Sequence, residues 1–274
     1  MNHAQTRIAF IGGGNMARAI VAGLLKAGHP PDQLHVADPD PAQRARLHDL
    51  DSGLLVTTDN ASAIRGADVV VLAVKPQVLA GIAGSLQLRP EQLVVSVAAG
   101  ISLDALAGWL GTDSCCVRVM PNQPALVGAG MSVLCASPDV EKGQRELADY
   151  LAGAGGETAW IDDERLMDAV TAVSGSGPAY FYLVMELLEQ GALRMGLAPD
   201  IARRLAVQTA YGAGLAARDA SLAPAELRRM VTSPGGTTQA AVERLEQGGI
   251  RTLFEQALEA ARHRSAELGK PDDN

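Results

Sequence analysis

Along the first 160 residues, apolar side chains come in short unbroken runs separated by stretches of helical spacing. The clearest run is DVVVLAV at 68–74, β-branched and bounded by Asp68 and Lys75, and LVVSVAA at 93–99 is nearly as strong. The same reading predicts strands at 7–12, 34–38, 54–57, 116–120, 131–136 and 158–161, and helices at 15–28, 42–50 and 140–151. Continuous apolar strands alternating with helices predict a parallel sheet covered on both faces. Beyond about residue 162 the strand signal stops, and helical periodicity runs through 164–173, 179–195, 200–217, 224–230, 238–248 and 252–268. Pro199 and Pro224 stand near helix starts and Gly196 follows a helix end. The pattern therefore predicts an α/β domain over 1–162 and an all-α domain over 163–274, with a frayed tail at 270–274.

Composition narrows the chemistry. Hydrophobic residues at 47% and charged residues at 20% provide an ordinary core and exclude general disorder. Aromatics are only 3% against 29 glycines, so the core must rest on Ala, Val, Leu and Ile and on close backbone approaches. A net charge of −8 argues against a broad nucleic-acid surface while leaving room for a local anion site. Two uncharged stretches, 119–138 and 169–185, are broken by proline, glycine and polar residues and do not read as membrane spans. The N-terminus lacks a signal-peptide pattern, and Cys115, Cys116 and Cys135 have no metal-ligand spacing. A cytoplasmic protein is expected.

The first strand runs into Gly12-Gly13-Gly14-Asn15-Met16-Ala17, which fits G-x-G-x-x-A at the opening of a helix. Gly12 would make the sharp turn, Gly14 would let a pyrophosphate approach the backbone, and Ala17 would let helix and strand pack closely. The helix start then offers N–H groups and a positive dipole end to phosphates. This is the signature of a Rossmann-type dinucleotide domain. Asp38, 21 residues beyond Ala17, suits an adenosine ribose and so NAD(H). Arg44 and Arg46 on the next helix suit a 2′-phosphate and so NADP(H), and Asp38-Pro39-Asp40-Pro41 also reads as a turn and helix cap. Ala73, Val74, Lys75 and Pro76 follow one strand and Ala98, Ala99 and Gly100 end the next, where an open α/β sheet binds its ligand. Asn60 begins a short helix, either as its cap or facing the adenosine side.

Two segments of the helical part, VSGSGPAY at 173–180 and VTSPGGTT at 231–238, place Ser, Gly and Pro directly before a helix. Free amides and small hydroxyls at a helix start suit a small carboxylate, though each segment alone could be a capped turn. None of the five histidines falls in these segments, and no nucleophile arrangement or metal cluster stands out. Reduction of a protonated imine needs no strong general acid, so this absence favours C=N over C=O reduction.

Six blocks carry a closer likeness: FIGGGNMA (10–17), AVKPQ (73–77), VSVAAGI (95–101), RVMPNQPALVGAG (118–130), DAVTAVSGSGPAYFY (168–182) and VTSPGGTT (231–238). Together they resemble the pyrroline-5-carboxylate reductases over essentially the whole chain. The resemblance implies a Rossmann-type N-terminal domain and an all-α C-terminal dimerisation domain, with active sites shared between subunits and dimers that often assemble into decamers. It implies NAD(P)H-dependent reduction of L-1-pyrroline-5-carboxylate to L-proline, and it leans towards NADP(H). Carried over by position, Ser233, Gly236, Thr237 and Thr238 would hold the substrate, Thr238 as the catalytic hydroxyl, with Ser176 at the pocket floor and Glu164 near the substrate. The cofactor set would be Gly12, Gly13, Gly14, Asn15, Met16, Asp38, Asn60, Ala73, Val74, Lys75, Pro76, Ala98, Ala99 and Gly100, with no metal. Gln123 stands where the family often has Thr, and Met230 where some members carry a polar residue. Two other readings compete. A β-hydroxyacid dehydrogenase would want a lysine in the helical part, and 163–268 contains none. A dinucleotide sensor without turnover would not need the two Ser/Gly/Pro segments.

Overall fold

The computed structural model describes residues 3–111 and 114–269; the tail expected to fray, 270–274, lies outside them. Packing divides the chain into two compact units. One runs up to Gly175 and takes in the segment from Ala261 onward; the other is Ser176–Ala260.

The first unit is built on eight strands: β1 (Ile8–Ile11), β2 (Leu34–Ala37), β3 (Leu55–Thr57), β4 (Val69–Leu72), β5 (Leu93–Ser96), β6 (Cys116–Met120), β7 (Gly130–Ala136) and β8 (Gly156–Trp160). They form one sheet in the order β3-β2-β1-β4-β5-β6-β7-β8. Helices α1 (Asn15–Lys26), α2 (Pro41–His48), α3 (Asn60–Ile64), α4 (Pro76–Ala83), α5 (Leu103–Leu110), α6 (Lys142–Gly153) and α7 (Met167–Val170) accompany it. Alternate strand residues serve opposite faces. Ile8, Phe10, Val36, Val69, Val71 and Val95 pack with α1, α2 and α6. Ala9, Ile11, Ala37, Val70, Leu72 and Val94 pack with α3, α4 and α5. Burial on both faces is why β1 and β4 are apolar at every position.

The structure departs from the sequence pattern in three places. The sheet is parallel except where β7 runs antiparallel to β6, because the nine residues 121–129 between them are too few for a crossover. Helices α4 and α5 were not marked by periodicity, since PQVLAGIA and LDALAGWL are eight residues each with few polar positions to show a face. The division between units also falls later than residue 162. Met167 is fully buried against Val133 and Cys135, so α7 belongs with the sheet.

The second unit holds α8 (Gly177–Arg194), α9 (Pro199–Asp219), α10 (Pro224–Met230), α11 (Thr237–Gln247) and the first part of α12 (Ile250–Leu268). It buries little of its apolar surface. Phe181, Tyr211 and Leu253 are each more than 60% exposed, and Leu183 and Leu187 of α8 and Leu205 of α9 are exposed as well. Apolar surface on this scale marks an interaction face. Among the described residues no helix is long and apolar enough to cross a membrane.

Two histidines of the first unit make its stability pH-dependent. His29 is buried with Nδ1 3.0 Å from the Tyr150 hydroxyl, and burial pushes its pKa below the usual value, with His3 adding to that effect. His35, on β2, is lowered by burial and by the Arg7 charge. The unfolded chain takes up protons near pH 6.5, where these folded imidazoles do not. Their contribution is complete above about pH 6.5 and is lost as pH falls through the depressed folded values. Thermal unfolding followed at pH 8, 7, 6 and 5 should show Tm falling below about pH 6.5; a flat Tm across that range would contradict the assignment.

Candidate functional site

Strand order reverses between β1 and β4, and the crevice outside their carboxyl ends is where an open α/β sheet receives a ligand. Gly12 turns the chain there with φ +99°, and a Cβ would stand 2.7 Å from the Ala73 carbonyl oxygen and 2.9 Å from Val74 Cγ1. Glycine at this position is demanded by the protein's own packing. Gly14 is different. Its φ of −67° is ordinary, and a Cβ would meet nothing within 4 Å. The space over Gly14 is used by no protein atom and lies at the start of α1, which has no side-chain cap. The first ladder bond of α1 runs from the Arg18 amide to the Gly14 carbonyl (3.0 Å). The amides of Asn15, Met16 and Ala17 therefore precede the ladder at the positive end of the helix. An open cradle, uncapped amides and a glycine that packing does not require fit a dinucleotide pyrophosphate.

The neighbouring residues fall into place around this turn. Asn15 accepts from Arg18 Nη2 at 2.6 Å, and Met16 packs half-buried on the core. Lys75 is exposed at the edge of the crevice and Pro76 opens α4. Asn60 opens α3, but the cap is Asp59, whose carboxylate accepts from the Ala61 and Ser62 amides at 3.2 and 3.1 Å. Asp38 is buried, and its two oxygens accept from the amides of Gly13 (2.6 Å) and Asp40 (2.8 Å). Arg44 Nη1 donates to the Asp38 and Pro39 carbonyls, both at 2.8 Å. Asp38 thus braces the glycine turn, and Arg44 is held on the carbonyl side of the same loop.

Ala98, Ala99 and Gly100 lie between β5 and α5, and the Val97 amide just before them donates to the Leu72 carbonyl (3.1 Å). Glu164 stands nearby in an ion pair. Its Oε1 accepts from Arg118 Nη1 and from the Leu103 amide, each at 2.8 Å. Arg118 is only 6% exposed, so the charge of Glu164 is what makes its burial tolerable. Cys135, paired with Arg118 across β6 and β7, has its thiol pKa raised by burial and then by Glu164. Sequence reasoning passed over Arg118 and Asn122. The Asn122 side chain donates to the Ser174 carbonyl and hydroxyl (3.3 Å each) and accepts from the Met131 amide (2.9 Å). Their place inside the block RVMPNQPALVGAG was the available signal.

The two Ser/Gly/Pro segments differ. VSGSGPAY is not an open helix start: a π-helical turn over Thr171–Gly175 carries the chain from α7 to within a residue of α8. A Cβ at Gly175 would collide with Met120, so the turn is pressed against the end of β6. Ser176 sits between the two helical pieces, partly buried. VTSPGGTT, within the second unit, does end in an open helix start. Gly235 takes φ +73° with its amide bonded to Gln239 Oε1 (2.6 Å), and Gly236 begins α11 with no side-chain cap. The first ladder bond there is the Ala240 amide to the Gly236 carbonyl (3.2 Å), leaving the amides of Thr237, Thr238 and Gln239 ahead of it. Ser233 is exposed and Thr238 partly buried at this uncapped end. Among the described residues no group of three or more His, Cys, Asp or Glu is arranged to hold a metal ion.

Comparison with known proteins covers both parts of the chain. A family model described as pyrroline-5-carboxylate reductase dimerisation matches residues 164–268, and one described as NADP oxidoreductase, coenzyme F420-dependent, matches residues 7–100. The chain is 48% identical over 266 residues to a pyrroline-5-carboxylate reductase of Pseudomonas aeruginosa, covering 96% of this chain and 97% of that one. It is 40% identical to a Pisum sativum protein of the same name, with 95% of each chain covered. Among solved structures, a pyrroline-5-carboxylate reductase from Coxiella burnetii superposes with a TM-score of 0.91 at 40% identity, covering 97% of this chain and 99% of that one. A Plasmodium falciparum pyrroline carboxylate reductase with NADP bound gives a TM-score of 0.85 at 27% identity, covering 97% of this chain and 99% of that one. With sheet order and whole-length identity in agreement, the chain belongs to the pyrroline-5-carboxylate reductase family.

Proposed function

We propose that the glycine turn of the first unit and the open start of α11 are the two halves of a site that reduces the C=N bond of L-1-pyrroline-5-carboxylate. The product is L-proline, and the protein is an NAD(P)H-dependent oxidoreductase. The observation that carries the reading is the pair of uncapped helix starts, one shaped for a pyrophosphate and one for a small carboxylate. Bound at the first, NAD(P)H supplies the hydride. The amides of Asn15 and Met16 hold the phosphates, Gly13 shapes the turn with its own amide given to Asp38, the residues from Ala73 to Pro76 and from Ala98 to Gly100 flank the dinucleotide, and Asn60 faces its adenosine side.

At α11 the amides of Thr237 and Thr238, with Ser233 and Gly236, hold the substrate carboxylate. The Thr238 hydroxyl orients and donates to the ring nitrogen, so that charge moving onto nitrogen during reduction meets a hydrogen-bond donor. Ser176 shapes the pocket floor, and Glu164 lies close by. Two chains pair through the exposed apolar faces of α8 and α9, each contributing one half of a shared active site; decamers are the larger assembly that this pairing suits. Three cysteines that remain free thiols agree with work in the cytoplasm. Asp38 serves the glycine turn and its carboxylate charge is offset by two amides, which leaves Arg44 to meet a 2′-phosphate and favours NADPH.

Three variants separate these roles. Gly14→Ala adds a methyl where no protein atom stands, so its Tm should match that of the unchanged protein, while fluorescence titration should show dinucleotide affinity at least about tenfold weaker, or 1.4 kcal/mol; unchanged affinity would remove the cradle. Thr238→Ala should lower turnover at least about tenfold with dinucleotide binding preserved, and wild-type turnover in that variant would exclude the hydroxyl. Arg44→Ala should reduce the ratio of kcat/KM for NADPH over NADH by about tenfold, whereas equal losses with both cofactors would show that Arg44 does not read the ribose.

A further inference from the structure

The start of α5 is held twice. Ser102, beside it in sequence, accepts from the Ala105 amide at 3.1 Å, an ordinary hydroxyl cap. The second tie comes from 61 residues away, where Glu164 Oε1 accepts from the Leu103 amide at 2.8 Å. A local cap suffices to stabilise a helix end, so what a distant one adds is position. The same oxygen accepts from Arg118 Nη1 on β6. Arg118 is buried within the sheet, which makes it a fixed point against which the carboxylate is set. One carboxylate oxygen therefore references the α5 start to the middle of the sheet.

Directly before α5 lies the 98–100 loop. Its upstream side is fixed by the Val97 amide on the Leu72 carbonyl. Its outer side is closed by the end of α12, since a Cβ on Gly100 would stand 3.2 Å from backbone atoms of Leu268 and Gly269. That end of α12 is itself anchored, with the buried Ser265 hydroxyl donating to Asp168 Oδ1 at 2.7 Å. Glu164, Asp168, Ser265 and Leu268 all come from the stretch matched by the dimerisation model. Within a single chain, the stretch of sequence associated with subunit pairing also frames a loop of the dinucleotide crevice.

We infer that Glu164 is a positioning residue for the 98–100 loop, acting through the Leu103 amide rather than by touching substrate. This rests on the reading of that loop as a cofactor contact. It also gives the Arg118–Glu164 pair a purpose that stability alone does not supply, because a well-packed apolar pair can replace a buried ion pair without loss.

The test starts from an Arg118→Met background, so that no variant buries an unpaired guanidinium. Arg118→Met with Glu164→Gln keeps a carbonyl acceptor for the Leu103 amide, and Arg118→Met with Glu164→Ala removes it. The second should show a KM for the dinucleotide at least tenfold above the first, with KM for the imine acid within twofold. Equal dinucleotide KM values in the two would overturn the role of Glu164. Hydrogen exchange over 98–105 in the unaltered protein is a check that depends on no variant. Adding NADPH should slow exchange at Leu103. If exchange there is unaltered although NADPH binds, the loop does not meet the cofactor, and the reading falls together with the inference. Slowed exchange combined with equal KM values leaves the loop assignment standing and removes Glu164 alone.

Discussion

The constraint on which the crevice depends is the approach of two backbones at the β1–β4 junction. The chain leaving β1 passes so near the Ala73 carbonyl that no side chain fits at position 12. That approach lets β1 and β4 lie side by side with a crevice beyond their ends, and it aims the following residues into the start of α1. Everything on the dinucleotide side depends on it. Gly13 is oriented to meet Asp38, Gly14 is left facing open space, and the first amides of α1 point outward. A side chain at 12 would have to displace the Ala73 carbonyl and the Val74 side chain just beyond β4.

The two helix starts do related work by different means. At α1 the sheet does the aiming, because the helix begins where a buried strand ends. At α11, in a unit made of helices, the turn is built locally from Gly235 in a left-handed conformation and from Gln239 folding back on its amide. Gln239 is held in turn by Glu243, its Nε2 donating at 2.7 Å. A short exposed turn with this internal bonding keeps its shape without a core beneath it. This suits a unit whose apolar residues face outward more than inward.

Buried charge is used sparingly. Asp38 and Arg118 are charged groups held deep in the first unit, and each has its partners close at hand. Asp38 is satisfied by two backbone amides, Asp40 in its own loop and Gly13 in the glycine turn. Arg118 needs Glu164, which ties the sheet to the chain just before α7. The ion pair therefore joins parts of the sequence that no local rule connects, and its removal would be felt in both.

Much of the fold was legible in the chain itself. Fully buried strands such as DVVVLAV leave an unbroken apolar run that needs no context to read, and helix starts announce themselves through Pro, Gly and small polar residues. The glycine turn, the run after β4 and VTSPGGTT were visible for the same reason: close approach and open amides restrict residue type locally. The π-helical turn within VSGSGPAY and the distant partners of Asp38, Arg118 and Asn122 were decided elsewhere. Those partners lie across the fold, at sequence separations from 9 to 52 residues. A side chain's own sequence neighbourhood says that it can accept or donate a hydrogen bond. Which group it meets is set only when the sheet brings distant segments together.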